Sequence, residues 1–435
     1  MSTQSGSPVA RLLKVVANVE EREVRAVLIA FTYFFFLMVS YFIVRPLRDA
    51  MGTIYGVDKL QELFTGTFIV SFIVAPIYAG IASRVKLDKF LPWVYGFIAV
   101  TMVIFFVLFA EGENDRWVAA AFFVWTSTFN LLTISVFWSL LADTFSKTQA
   151  KRLFGFIAAG GTAGTLAAPT FTALFVESVG TNTLLLISAA GFTVAAFLVK
   201  VLEKEKVKLA EGTPDAQKTT LQHKLGGNPF DGFMLLFKSP YLLMIALFIL
   251  LMTTISTVIY FQLADTISKN FETREARTQA YAVIDLATNG ITVFIQLFGT
   301  GRIISRFGVT VGLLLNPVIM VIAFLCVAFS PVLMVLGSVQ VLRRFAEYAV
   351  AKPSREMLFT VVDQQSKYKA KNVIDTVVYR FGDVTSAWLS AAVLPYGVAG
   401  LAIAGVVVSA IWFPIAYLLG KRYEKINAAP ATAAE

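Results

Sequence analysis

The chain has 435 residues, of which 57% are hydrophobic and only 15% charged, with a mean hydropathy of +0.72. Soluble domains carry about 25% charged residues, so this composition cannot cover a water-facing surface and a soluble globular protein is excluded. The net charge of +9 fits basic loops flanking membrane spans better than nucleic-acid binding.

Residues 1–25 are polar and basic, without an apolar run that ends in a small-residue cleavage site, so the first span is expected to act as the membrane signal itself. Apolar runs of about 20 residues, the thickness of a bilayer core at about 1.5 Å per residue, then predict twelve transmembrane helices. They lie at 26–44, 60–82, 90–110, 117–141, 153–176, 183–201, 241–264, 278–300, 308–329, 331–350, 373–395 and 398–419. Ser330 and Pro331 separate the ninth from the tenth. Most lysines and arginines fall on one side of this plan, including Lys86, Lys89, Lys147, Lys151, Lys367 and Lys371, which places both termini in the cytoplasm. The polar stretch 202–240 reads as a cytoplasmic linker between six-helix bundles at 26–201 and 241–419, and 420–435 as a cytoplasmic tail. Cys326 has no partner for an intrachain disulfide and reads as a core thiol. One cysteine and one distant histidine, His223, offer no transition-metal site.

The two halves repeat. Asp143-x3-Lys147-x3-Lys151 after the fourth span matches Asp363-x3-Lys367-x3-Lys371 after the tenth, at an offset of 220. Ser83-Arg84 matches Ser305-Arg306 at an offset of 222. Parallel six-helix repeats are the major-facilitator arrangement, so the fold expected is an all-α membrane protein of two pseudo-symmetric six-helix bundles. Gly160, Gly161 and Gly164 lie within an apolar span with no Gly-Lys-Ser/Thr after them, and read as a close helix contact through small residues rather than a phosphate loop.

Ionisable residues inside spans are costly and mark cavities or partners. Arg45, Arg48 and Asp49 close the first span, where Pro46 favours a break or kink. They either hold an anionic group or snorkel to water. In span ten, Arg344 and Glu347 are three apart and suit an internal pair, which leaves Arg343 as the sharper anion candidate. Span eleven carries Lys371, Asp375, Arg380 and Asp383, spaced as two pairs, and Asp285 in span eight stands as an isolated acid for a proton or cation. Arginine forks match phosphate or carboxylate oxygens in two bonds at once, so this set suits an anionic cargo. Tyr41, Trp138, Tyr348 and Tyr379 can stack a base, although packing is the simpler role for each. No nucleophile–base or metal constellation is present, so no catalytic residue, cofactor or enzymatic activity is expected.

Three segments carry a family resemblance: YFIVRPLRDAMG (41–52), FWSLLADTFSKTQAKRLFGFIAAGG (137–161) and KPSREMLFTVVDQQSKYKAKNVIDTVVYRFGD (352–383). They resemble the nucleotide transporter (ATP/ADP translocase) family of plastids and intracellular bacteria, and together cover under a fifth of the chain. The resemblance implies a major-facilitator-type nucleotide exchanger. By position, Arg48 and Lys371 then stand at family lysines. Two acids of that family are replaced, by the acid-free stretch Ser127 to Asn130 in span four and by Gln262 in span seven, which allows a different phosphorylated metabolite or organic anion as cargo.

The expected substrate-binding set is therefore Arg45, Arg48, Asp49, Asn130, Lys151, Gln262, Arg343, Arg344, Lys371 and Arg380; Asp143, Asp285, Glu347, Asp363, Asp375 and Asp383 are expected to gate or couple. The partners expected are a small anionic solute such as ATP or ADP and the lipid bilayer, with no nucleic acid, for a monomer in a bacterial cytoplasmic membrane. A proton-coupled carrier of an unrelated solute and a non-transporting receptor or assembly factor are the alternatives.

Overall fold

In hydrocarbon each backbone N–H and C=O must be satisfied within the protein, and a helix does this inside one segment. The computed structural model describes residues 19–82, 85, 87–112, 115–210, 231–362, 370–371 and 373–428, and among these residues there is no strand. Helices stand at all twelve predicted places. They are α1 (Val24–Tyr55), α2 (Leu60–Ala82), α3 (Leu87–Glu111), α4 (Arg116–Thr144), α5 (Lys147–Val179) and α6 (Thr181–Ala210). In the second half they are α7 (Pro240–Asn270), α8 (Arg274–Phe298), α9 (Thr300–Phe329), α10 (Leu333–Ala346), α11 (Tyr379–Val393) and α12 (Gly397–Ala428). By length and composition, eight candidate spans are apolar enough to cross a membrane, one of them running through α11 and α12.

Several boundaries differ from the sequence expectation. Helix α1 runs through Pro46 to Tyr55 rather than ending near residue 44. A proline deletes one backbone donor, and a membrane helix tolerates that loss where neighbours satisfy the freed group. Helix α6 continues to Ala210 and a short helix spans Asp231–Lys238, so both ends of the predicted linker are helical. His223 and Asp363 lie outside the described residues. Helix α9 contains a break at Gly308, whose φ of 80° is open to glycine and strained for other residues; the break stands where the predicted span begins. Helix α10 passes into a π-helical segment, Glu347–Ala351, and then the helical turn Lys352–Leu358, while α11 is preceded by a second π segment, Ile374–Val378.

Contacts divide the chain into two units. One holds the described residues of Met1–Met51, Ile69–Lys224 and Thr273–Ala282; the other holds Gly52–Phe68, Leu225–Glu272 and Val283–Glu435. Each half by sequence thus lends the other unit one segment, and both lent segments follow the first helix of their own half. In the first unit, Arg274 donates to Asn182 at 3.2 Å, the Thr181 hydroxyl to Glu275 at 2.9 Å, and Gln279 to the Ala173 carbonyl at 3.0 Å. In the second, the Trp388 indole donates to Thr65 at 3.1 Å and Phe64 meets Tyr260 edge to face.

Glycine sets the closest helix contacts. A Cβ on Gly160 would stand 2.4 Å from the Phe31 carbonyl oxygen, and Gly161 and Gly164 sit as tightly against Phe34 and Phe35 of α1. In the second unit a Cβ on Gly382 would meet Thr253 at 2.2 Å. Gly160 and Gly382, and likewise Phe31 and Thr253, are 222 positions apart. The repeat read from short loop motifs is therefore also a repeat of packing: the fifth helix of each half closes on the first through a glycine.

Cys326 corrects one expectation, because it is exposed rather than a core thiol. It lies beside exposed Ile322, Leu325 and Phe329 on α9. A lipid-facing surface is as apolar as a core, so hydropathy cannot tell the two apart. Gly160→Ala should destabilise the protein by about 1–3 kcal/mol, the usual cost of overpacking, and lower the thermal midpoint in detergent. Gly155→Ala, which meets nothing within 4 Å, should keep or slightly raise the midpoint, because alanine suits a helix interior better than glycine.

Candidate functional site

In the first unit, α1 presents Arg45, Arg48 and Asp49. The Arg48 guanidinium donates twice to one Asp49 carboxylate oxygen, at 3.0 Å from Nε and 2.6 Å from Nη2, and lies 5.4 Å from the centre of the Phe123 ring on α4. Arg45 stands over Phe42 at 5.5 Å. Aromatic faces hold such cations at about 0.5–2 kcal/mol. Asn130 is on α4, with its carbonyl oxygen Oδ1 buried and without a hydrogen-bond partner among the described residues.

Asp143 and Lys151 are exposed, on α4 and α5. The neighbouring Arg152 makes the ion pairs instead, to Glu20 at 3.2 Å and Glu23 at 2.9 Å. Ser146 caps α5 in a reciprocal box with Gln149, and Gln149 also donates to Glu23 at 2.8 Å. The capping-box pattern Ser-x-x-Gln belongs to the first copy of the repeated loop alone, because the position of Gln149 is Lys369 in the second. Its anchor, a fully buried Glu23, carried no signal in the sequence beyond its charge.

The second unit gathers more of the candidates. On α10, Arg343 pairs with Glu347 at 2.7 Å and also donates to Ser256 on α7 at 2.6 Å and to Gln340 at 3.1 Å. Arg344 pairs with Asp285 on α8 and lies 5.9 Å from the Tyr348 ring centre. Spacing favoured Arg344 with Glu347; the structure gives Glu347 to Arg343, four residues away, and turns Arg344 toward another helix. Asp285, which read as isolated, has that arginine as its partner. Arg343, Arg344, Glu347 and Asp285 are all at most 7% exposed. The Nε and Nη2 groups of Arg344 are buried and have no hydrogen-bond partner among the described residues.

Span eleven repairs in the same way. Lys371 pairs with Glu356 and lies over the Phe359 ring, and Arg355 reaches both Glu356 and Asp375 at 3.5 Å. The expected Lys371–Asp375 pair does not form. Asp375 sits in the π segment, where i→i+5 bonding shifts side chains out of α-helical register, and the preceding helix supplies both partners. Arg380 and Asp383 do pair, at 3.6 Å. Gln262 is fully buried and donates to the Val398 carbonyl at 3.1 Å, tying α7 to the start of α12. Thus each of the basic candidates Arg343, Arg344, Lys371 and Arg380 stands against a carboxylate.

Burial would raise the Glu356 carboxyl, but the Lys371 ammonium and the Arg355 guanidinium hold it below its ordinary value. The stability this contributes is full above the ordinary carboxylate value of about 4.3 and is lost as pH falls through the depressed folded value. Thermal melts should therefore show Glu356→Gln less stable than the parent at pH 7, with the gap closing in acid below pH about 4. For the buried pair, Arg344→Leu alone and Asp285→Leu alone should each cost about 3–5 kcal/mol by leaving an uncompensated charge, and the double variant should cost less than either. A double-mutant cycle on thermal or denaturant unfolding measures this coupling.

Residues 27–346 match the Major Facilitator Superfamily. Among curated proteins, ADP,ATP carrier protein 1 of Chlamydia pneumoniae is 24% identical over 353 residues, 71% of this chain and 68% of that protein. ADP,ATP carrier protein 1 of Chlamydia muridarum is 27% identical over 172 residues, 35% of this chain and 32% of that protein; the match spans only about a third of it. Two solved structures share the fold. A bacterial homologue of the human lysosomal transporter Spinster, inward-facing and unoccupied, has a TM-score of 0.63 at 16% identity and covers 95% of this chain and 100% of that one. The nucleoside transporter NupG has a TM-score of 0.59 at 15% identity, covering 94% and 100%.

Proposed function

The chain belongs to the Major Facilitator Superfamily, and from its membership as a multi-pass membrane transporter we propose that the cargo is a small organic anion, a nucleotide or related phosphorylated metabolite, moved by alternating access with exchange. Membership removes the non-transporting receptor from the alternatives.

Arg344 carries this reading. A buried donor left without a partner costs about 1–3 kcal/mol, more when charged, so an interior keeps such groups where something else satisfies them. The Nε and Nη2 groups of Arg344 form the edge of the guanidinium fork that takes two oxygens of a phosphate or carboxylate at once. Asp285 on the other side of the guanidinium keeps the charge compensated when no cargo is bound, which suits a carrier that must cycle through an unloaded form. The three segments similar to nucleotide transporters and the Chlamydia carriers named for ADP and ATP favour a phosphorylated cargo over a simple carboxylate. The basic bias of the flanking segments supports cytoplasmic termini, and a monomer in a bacterial cytoplasmic membrane is the simplest setting.

A second reading, a proton-coupled carrier, is favoured by the 3% exposure of Asp285: a carboxylate that takes up a proton there would release Arg344. The two readings part in proteoliposomes. Labelled ATP or ADP should enter vesicles preloaded with unlabelled nucleotide, and a proton gradient alone should not drive it. Arg344→Gln should lower the rate at least tenfold, with smaller losses for Arg48→Ala and Lys371→Ala. Absence of nucleotide uptake or exchange, together with no nucleotide protection against thermal unfolding, would rule out the nucleotide reading.

A further inference from the structure

A second cluster lies in the first unit, on the segment lent to it from the second half. Thr273–Ala282 belongs to this unit and opens α8. Arg277 and Tyr281 are four residues apart there and share a helix face. Tyr281 is 4% exposed, within electrostatic reach of Asp49 and Arg48 on α1 and of Arg277 on its own helix. Its hydroxyl is buried and has no hydrogen-bond partner among the described residues.

Such a hydroxyl is costly to leave unmade, and the corresponding segment of the other half shows what satisfies one. At an offset of 222 the counterparts of Arg277 and Tyr281 are Tyr55 and Lys59, again one tyrosine and one cation four residues apart. The Tyr55 hydroxyl donates to the Glu62 carboxylate. The Arg277 and Arg48 guanidinium groups act on Tyr281 together with the Asp49 carboxylate, which already accepts twice from Arg48. The group that fits the Tyr281 hydroxyl is thus an acceptor carrying negative charge, with Arg277 and Arg48 to neutralise it.

We infer that Tyr281 and Arg277, with Arg48, form an oxyanion subsite that holds a phosphate group of the transported solute. This rests on the anionic-cargo reading above and adds two binding residues to it. Tyr281 donates one neutral hydrogen bond to a phosphate oxygen, and Arg277 supplies a positive charge beside it. The cluster includes residues of the lent segment, so the subsite is complete only while that segment packs on the first unit.

The test is ligand-induced thermal stabilisation of the purified full chain, titrated with ATP, ADP and pyrophosphate. Tyr281→Phe keeps the ring and removes only the donor. It should weaken apparent affinity about tenfold or more, the scale of a hydrogen bond to a charged group, while the unliganded midpoint stays the same or rises, because the unmet hydroxyl is gone. Arg277→Gln should weaken it at least as much, and Arg277→Lys should recover part of the loss, since it keeps the charge but not the fork. Wild-type affinity in both Tyr281→Phe and Arg277→Gln, while Arg344→Gln has lost binding, overturns the subsite and leaves the functional reading standing. A wild-type chain that none of the three anions stabilises overturns both. If Arg277→Gln does not fold, Tyr281→Phe and Arg277→Lys decide alone.

Discussion

A charge in a helix bundle surrounded by apolar side chains is tolerated only beside an opposite charge or a ligand, and the second unit is organised around that constraint. Arg344 meets Asp285 across α10 and α8, and Arg343 bridges Glu347 on its own helix to Ser256 on α7. These contacts fix which faces of α7, α8 and α10 point inward. They also place two guanidinium groups where apolar packing alone would put leucines.

Some pairs join two helices and others lie along one, and two π-helical segments stand beside them. Glu347 opens one and Asp375 lies in the other. Such segments are frequent at functional sites because an extra residue per turn re-aims the side chains after it. Here the charged stretch of each helix coincides with a change of register. The glycine contacts work in the opposite sense. Gly160 against the Phe31 carbonyl and Gly382 against the Thr253 hydroxyl draw the fifth and first helices of each half together without charged side chains.

For a carrier, compensated charge has a consequence. A guanidinium wholly consumed by a carboxylate has little to offer an anion, whereas Arg344 uses one nitrogen on Asp285 and keeps two more directed elsewhere. A bound phosphate then joins the existing pair without breaking it. Lys371, pressed against Glu356 and Phe359, has to leave a partner before it can serve a cargo. The two residues matched to family lysines differ from Arg344 in how much of the cation the carboxylate takes: Arg48 gives Nε and Nη2 to Asp49 and Lys371 its ammonium to Glu356, whereas Arg344 gives Nη1 alone to Asp285.

The sequence by itself determined the membrane setting, the places of the twelve helices, the repeat and the types of charged residue within the spans. Hydropathy and short spacing report these directly, because burial in lipid demands long apolar runs. It also identified the Arg380–Asp383 pair and the glycine contact of α5, both of which depend on spacing along one helix. Only the tertiary structure decided the partners of Arg343, Arg344, Asp285, Lys371 and Asp375, the exchange of segments between the two units, and the outward position of Cys326. Each of these turns on which helix lies beside which, or on a π turn that spacing rules do not anticipate. Tyr281 and Arg277 were passed over for the same reason: four residues apart at the start of an apolar helix they look structural, and only the nearness of Arg48 and Asp49 gives them chemistry.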